Sequence, residues 1–331
     1  MRNPVIQTFN LSKSYDGKIV LDKIDFTLRQ GEIYGLLGRN GTGKTTFIKA
    51  ILGLTAMDSG EVNILSEKLL GEFSKDLLSQ IGVVLDSASF YPNLTGPENL
   101  SIFARLRGLS LKQVEQALQV VGLDGENKKL FKQYSLGMKQ RLAIANAIMH
   151  QPKILILDEP TNGLDPIGIL EIRRYLKELS TNHDISILIS SHIIPELEKL
   201  VDRVGILHDT HLIAEKTMQN LIDGAERRKI HLIVSDASQA KEVLCRINLQ
   251  EQISILSDTE LELQGESPAF DIAVVSNSLK DNGIVLKEYS YKSNESLEDY
   301  FKRVTGGEGI AWFSEDWISQ TKASKTEFGR I

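Results

Sequence analysis

"GRNGTGKT", residues 38–45, follows the apolar run "EIYGLLG" and opens a helix from about Lys44. It fits the pattern G-x-x-x-x-G-K-[ST]. There the glycines let backbone N–H groups curl around phosphate oxygens, the lysine reaches the β- and γ-phosphates, and the final hydroxyl serves Mg²⁺. Lys44 and Thr45 take the last two parts. Gly38, Arg39, Asn40, Gly41, Thr42, Gly43 and Thr46 complete the lining of the loop. A glycine-rich turn matching by chance is the bland alternative, and the strand–loop–helix setting argues against it.

Working outward, "ILILDEP" (154–160) is a buried strand ending in two carboxylates. Such groups are costly to bury unless paired or metal-bound. Asp158 suits Mg²⁺, and Glu159 is next in line to polarise an attacking water. "ILISSH" ends in His192, one of six histidines. A lone histidine is more often structural, but strand ends on one edge of a parallel sheet converge on one crevice. Placed there, His192 can bond a γ-phosphate oxygen and orient the water. "YSLGMKQRL" (134–142) adds a second anion site, because Ser135 and Gly137 sit where a new helix exposes unpaired N–H groups. Tyr15, in "SKSYDGK", either stacks on an adenine ring or packs as strand aromatics do.

The chain has 331 residues, 41% of them hydrophobic, which predicts about two globular domains with sizeable cores. A net charge of −6 gives no basic footprint for nucleic acid. A single cysteine, Cys245, excludes an internal disulfide and suits a reducing cytosol. The opening "MRNPVIQTFNLSKSYDG" lacks a signal-peptide apolar core, and no apolar run reaches membrane-span length.

The order of elements reads as α/β. Short strands "IVLDKIDFTL" and "EIYGLLG" lead into the glycine loop, and "IGVVL" follows at Ile81. The pattern is mostly helical from Gly96 to Gln151. Strands "KILILD" and "ISILISS" then return, flanking a helix around Glu171 to Leu179. That is a parallel sheet interrupted by a helical insert. After "NLIDGAERR" the elements follow a β-α-β-β-α-β order, the ferredoxin-like pattern, with a strand pair turning at Asp258–Thr259 and a closing helix "SLEDYFKRVTG". The expected domains are 1–218 (helical part about 87–150), 219–306 and a tail, 307–331, holding Trp312 and Trp317.

The order "GRNGTGKTT … YSLGMKQR … ILILDEP … NGLDP … SSH" resembles the nucleotide-binding subunit of ATP-binding cassette (ABC) transporters over about residues 4 to 217. The resemblance implies a P-loop NTPase cassette: a RecA-like parallel sheet, an antiparallel β subdomain and a helical insert. It implies ATP and Mg²⁺ as cofactors and "SLGMK" as a variant of the LSGGQ signature loop, with Ser135 and Gly137 kept and Leu136 and Met138 departing. It further implies Asp165 as the D-loop aspartate and Tyr15 as the adenine-stacking residue. Two such domains meet head to tail, so each signature loop faces the phosphate on the other chain's Lys44. A C₂ homodimer, or a pair with a similar subunit, follows. So do transmembrane permease partners and a place on the cytoplasmic face of the cell membrane.

A narrower likeness lies in "SFYPNLTGPENL", "YSLGMKQRLAIA" and "LDEPTNGLDPIGI". These are similar to bacitracin-resistance and lantibiotic-immunity ATPases, which drive exporters of membrane-active peptides. That subgroup carries Glu where most cassettes have the Q-loop Gln. Here Asp86 stands there, one methylene shorter, and is a candidate metal residue.

Other readings remain. Lipid, polysaccharide or a small drug is an alternative cargo. A cassette ATPase that never transports is another rival, although such proteins usually carry two cassettes or a long coiled coil. In the tail, Ile310, Phe313 and Trp317 share helical spacing and suit docking on the protein itself, or contact with the permease or membrane interface.

Overall fold

A computed structural model describes residues 2–70, 73–85, 90–125, 128–222, 228–247, 253–265, 272–292 and 296–306. Asp86 and the tail residues Ile310, Trp312, Phe313 and Trp317 lie outside the described residues. The chain divides into two compact units, one running to Lys216 and including Phe301 onward, the other Thr217–Tyr300.

The first unit opens with strands β1 (Pro4–Tyr15) and β2 (Lys18–Arg29), each of 12 residues and paired antiparallel. Asp16 and Gly17, both at positive φ, make the turn between them, the pairing that a two-residue hairpin of right-handed twist requires. The sequence reading expected short strands here. Several register shifts along β1 blur its alternation, which is why the period-2 signal broke up. Strands β4 (Ser59–Ile64) and β5 (Glu67–Lys68) complete this four-stranded sheet in the order β2-β1-β4-β5.

The second sheet holds the glycine loop. Its order is β10 (His211–Thr217), β9 (Arg203–His208), β3 (Ile33–Leu37), β8 (Ser186–Ser191), β7 (Ile154–Leu157), β6 (Ile81–Val84). Strand β3 pairs in parallel with β8 and β9, and β7 with β8 and β6. Every residue of β3, β7 and β8 is buried, as strands covered on both faces require. Their carboxyl ends therefore open on the same edge. Between the two sheets, helix α1 (Lys44–Ile51) sets Phe47 edge-on to Phe26, which is also edge-on to Tyr34 at 4.8 Å.

Helix α2 (Lys75–Leu78) precedes β6. Helices α3 (Gly96–Leu106), α4 (Leu111–Val120) and α5 (Leu136–Ile148) form the helical insert. A capping box between Thr95 and Glu98 starts α3, satisfying N–H groups that would be orphaned. Helix α6 (Pro166–His183) is longer than its apolar centre suggested. Asp165 caps it, Pro166 fits its first turn, and Asp184 ends it in the left-handed region. The short α7 (Ile194–Glu198) follows β8.

One buried network ties the sheet's edge to its centre. Tyr34, fully buried on β3, donates its hydroxyl to Glu215 on β10 at 2.6 Å. Burial, reinforced by that carboxylate, pushes the phenol well above its ordinary pKa. Arg203 stacks over the Tyr34 ring, pairs with Glu32 at 2.8 Å and lies 3.6 Å from Glu215.

The second unit begins near helix α8 (Met218–Ile222). It continues through β11 (Arg228–Val234), α9 (Ala237–Cys245), β12 (Ile253–Ser257), β13 (Glu260–Gly265), α10 (Ile272–Asp281) and β14 (Leu286–Lys292), and the division between the units falls within α11 (Leu297–Val304), after Tyr300. The sheet order is β12-β13-β11-β14, all neighbours antiparallel, which is the ferredoxin-like arrangement. Its core joins Ile230, Leu232 and Val234 to Val243 and Leu244 of α9 and to Val275 and Leu279 of α10.

Candidate active site

The loop between β3 and α1 takes its shape from its glycines. Gly41 and Gly43 sit at φ of 83° and 104°, conformations that L side chains rarely adopt. A Cβ at Gly38 would meet the Leu207 carbonyl at 2.6 Å. Close approach of backbone to a phosphate needs such a surface. Arg39 and Thr42 are partly buried in the loop, and Asn40 and Gly41 are exposed. Lys44 is 5% exposed. Its Nζ donates to the carbonyls of Gly38 at 2.7 Å and Arg39 at 3.2 Å and lies 3.1 Å from Glu159 Oε1.

Next to the loop the end of β7 delivers its acids. Asp158, 9% exposed, accepts from Thr45 Oγ1 at 2.6 Å and from Ser190 Oγ at 2.5 Å. Thr45 and Asp158 thus offer an oxygen-only donor pair beside the glycine loop, the chemistry Mg²⁺ selects. Glu159 extends from that strand to His192, whose Nδ1 is 2.8 Å from Oε2. The structure therefore gathers Gly38, Lys44, Thr45, Asp158, Glu159 and His192, drawn from three strand ends, into one hydrogen-bonded cluster. Sequence reading gave no part to Ser190, Thr161 or Glu196. The only signal for Ser190 was a pair of serines closing a strand whose centre is apolar.

Hydrogen bonding to Glu159 raises the His192 pKa against the opposing effect of burial. Burial pushes Glu159 up, but the His192 bond and the Lys44 charge outweigh it and hold the carboxyl below its usual range. Because the imidazole titrates higher folded than unfolded, its stabilisation is fully present below the ordinary histidine value of about 6.5 and is lost as pH rises through the raised value. The glutamate's share acts at the other end: it is present above the ordinary carboxylate value and lost as pH falls through the lowered one. The melting temperature of the parent should therefore exceed that of His192→Gln by a margin that shrinks from about pH 6 to about pH 8. A constant margin across that interval would show that the pair does not titrate there.

Other expected site residues lie apart. Ser135 is exposed and caps α5, its hydroxyl accepting from Met138 N at 3.2 Å. Asp165, also exposed, accepts from Gly168 N. Tyr15 is 45% exposed, with its hydroxyl 3.2 Å from Thr55 and Lys13 over its ring. None of the three is hydrogen-bonded to the Lys44–Glu159 cluster among the described residues.

The model of the family described as ABC transporter matches residues 21–162. The bacitracin transport ATP-binding protein BcrA of Enterococcus faecalis is 42% identical over 308 residues, covering 93% of this chain and 98% of BcrA. The chain belongs to the ABC transporter ATP-binding family. The lantibiotic transport ATP-binding protein SrtF of Streptococcus pyogenes is 39% identical, covering 66% of this chain and 91% of that protein. A solved ATP-binding subunit of an ABC transporter superposes with a TM-score of 0.57 at 30% identity, covering 66% of this chain and 91% of the other. A dimeric ABC cassette in a post-hydrolysis state with ADP and Pi gives 0.57 at 26%, covering 64% and 98%.

As an ABC ATPase the chain binds ATP. The stretch "SLGMK" packs against the loop before α6: a Cβ at Gly163 would lie 2.9 Å from Leu136 Cδ2. The bulk of Leu136 thus sits against a residue that has no side chain. Among the described residues no helix is long and apolar enough to cross a membrane.

Proposed function

We propose that this protein is the ATP-hydrolysing subunit of an exporter that protects a bacterium from membrane-active peptide antibiotics. The alignment with BcrA carries the cargo class. It spans 308 residues, so it runs through the second unit as well as the cassette.

In this reading ATP supplies the phosphoanhydride to be cleaved, and Mg²⁺, when bound, would offset charge on its oxygens. Lys44 and the N–H groups of residues 38–46 bind the phosphates, and Tyr15 stacks on the adenine. Thr45 and Asp158 would hold the metal, and Asp86, two residues past β6 in the sequence, is a further candidate. Glu159 takes the proton of the attacking water, and His192 orients that water and steadies the carboxylate. Ser135 and Asp165, both exposed, and the half-buried Gly137 face the site of a second copy in a C₂ dimer. The permease holds the assembly at the cytoplasmic face of the membrane. The domain division at about 218–219 separates this engine from the ferredoxin-like unit, a dimerisation or regulatory module by fold analogy alone.

Co-expression with the cognate permease in a peptide-sensitive host tests the cargo. The minimal inhibitory concentration of bacitracin or a lantibiotic should rise several-fold, and the Glu159→Gln chain should abolish the rise. An unchanged concentration for both peptides, with ATPase activity present in the purified membrane complex, would move the cargo to another class.

A further inference from the structure

Strand β8 ends in two adjacent serines, Ser190 and Ser191, exposed by 0% and 1%. Alternation along a strand sends their side chains to opposite faces. The Ser190 hydroxyl donates to Asp158 Oδ1 at 2.5 Å and accepts from the backbone N–H of Glu159 at 2.9 Å. With Thr45 donating to Oδ2, both oxygens of Asp158 are fixed. Glu159 itself stands at φ 48°. That left-handed conformation is unfavourable for a residue with a side chain and persists where the surroundings over-determine it. Ser190 supplies that constraint at the backbone, while Lys44 and His192 hold the carboxylate.

We propose that Ser190 is a positioning residue for ATP hydrolysis, its one hydroxyl locking the metal-facing carboxylate and the backbone of the water-polarising glutamate into a single arrangement. Ser191 supports the far end of the same segment. It donates to Glu196 Oε2 at 3.3 Å, and Thr161 donates to that same oxygen. Residues 158 to 161 are thereby tied to the end of β8 at both ends. The inference rests on the ATPase reading of the site.

The test compares Ser190→Ala, Ser190→Cys and Ser190→Thr with the parent and with Glu159→Gln in the purified full chain. Cysteine keeps the volume but is a poor donor and acceptor; threonine keeps the hydroxyl. Affinity for a fluorescent ATP analogue in EDTA should stay within about twofold of the parent in every Ser190 variant, since the loop that binds phosphate is untouched. Added Mg²⁺ should tighten that affinity less in Ala and Cys than in the parent. The kcat of Ala and Cys should fall about 10- to 100-fold while KM moves little, the signature of a misplaced rather than missing group. Threonine should restore most of the rate. Parental kcat in both Ala and Cys, with Glu159→Gln inactive, would overturn the inference alone. Parental turnover in Glu159→Gln would overturn the catalytic reading and the inference with it.

Discussion

Glu159→Gln is expected to bind ATP at least as tightly as the parent and to hydrolyse it about 10²- to 10⁴-fold more slowly, the range for loss of a positioned proton acceptor. Glutamine keeps the length and shape of the side chain and can still meet His192, which lies 2.8 Å from the carboxylate. It loses the charge that draws on Lys44 at 3.1 Å, leaving the ammonium freer for phosphate. Binding and chemistry therefore separate. With Mg-ATP present, the variant should elute from a sizing column as a lasting dimer, because the step that reopens the dimer is blocked. A variant that turned over ATP at the parental rate would remove Glu159 from the catalytic role.

Mixing Ser135→Arg with Lys44→Ala probes the second large effect. Ser135 is exposed at the N-terminus of α5, the place where a helix offers bare N–H groups to an anion. An arginine there should block closure over a partner's phosphates while sparing ATP binding at the chain's own Lys44. Each variant alone should be inactive. In a two-fold heterodimer both lesions fall in one site and neither in the other, so random pairing should return roughly a quarter of parental ATPase activity. A mixture as inactive as its components would show that no single site works alone across the interface.

Much of this site was legible because its chemistry fixes both residue type and spacing. The glycines of residues 38–43, Lys44 and the acids closing β7 follow from what phosphate and a hard cation need, whatever the rest of the chain does. The second unit was legible for another reason: its strands bury alternate residues cleanly, as Ile230, Leu232 and Val234 do. The β1–β2 hairpin was harder to read. Its register shifts scrambled the alternation, although Asp16–Gly17 carried a strong turn signal. Ser190 was invisible for a third reason. A serine in a buried strand has no sequence pattern of its own, and its meaning comes from two residues just past the end of a different strand that sequence cannot place beside it. Lys44 binding the carbonyls of its own loop belongs to the same class, since loop curvature decides it.

The Tyr34–Glu215–Arg203 network bears on how firmly the edge of its sheet is held. Strand β10 lies at the edge of its sheet and runs straight to Thr217, where the second unit begins. An edge strand pulled from its end ordinarily peels, breaking one ladder bond after another. Here Glu215 anchors the last turn of the ladder to a buried phenol on the central strand and to an arginine on the strand between. Fraying of β10 from its Thr217 end therefore has to break a buried hydrogen bond and an ion pair as well as the ladder bonds.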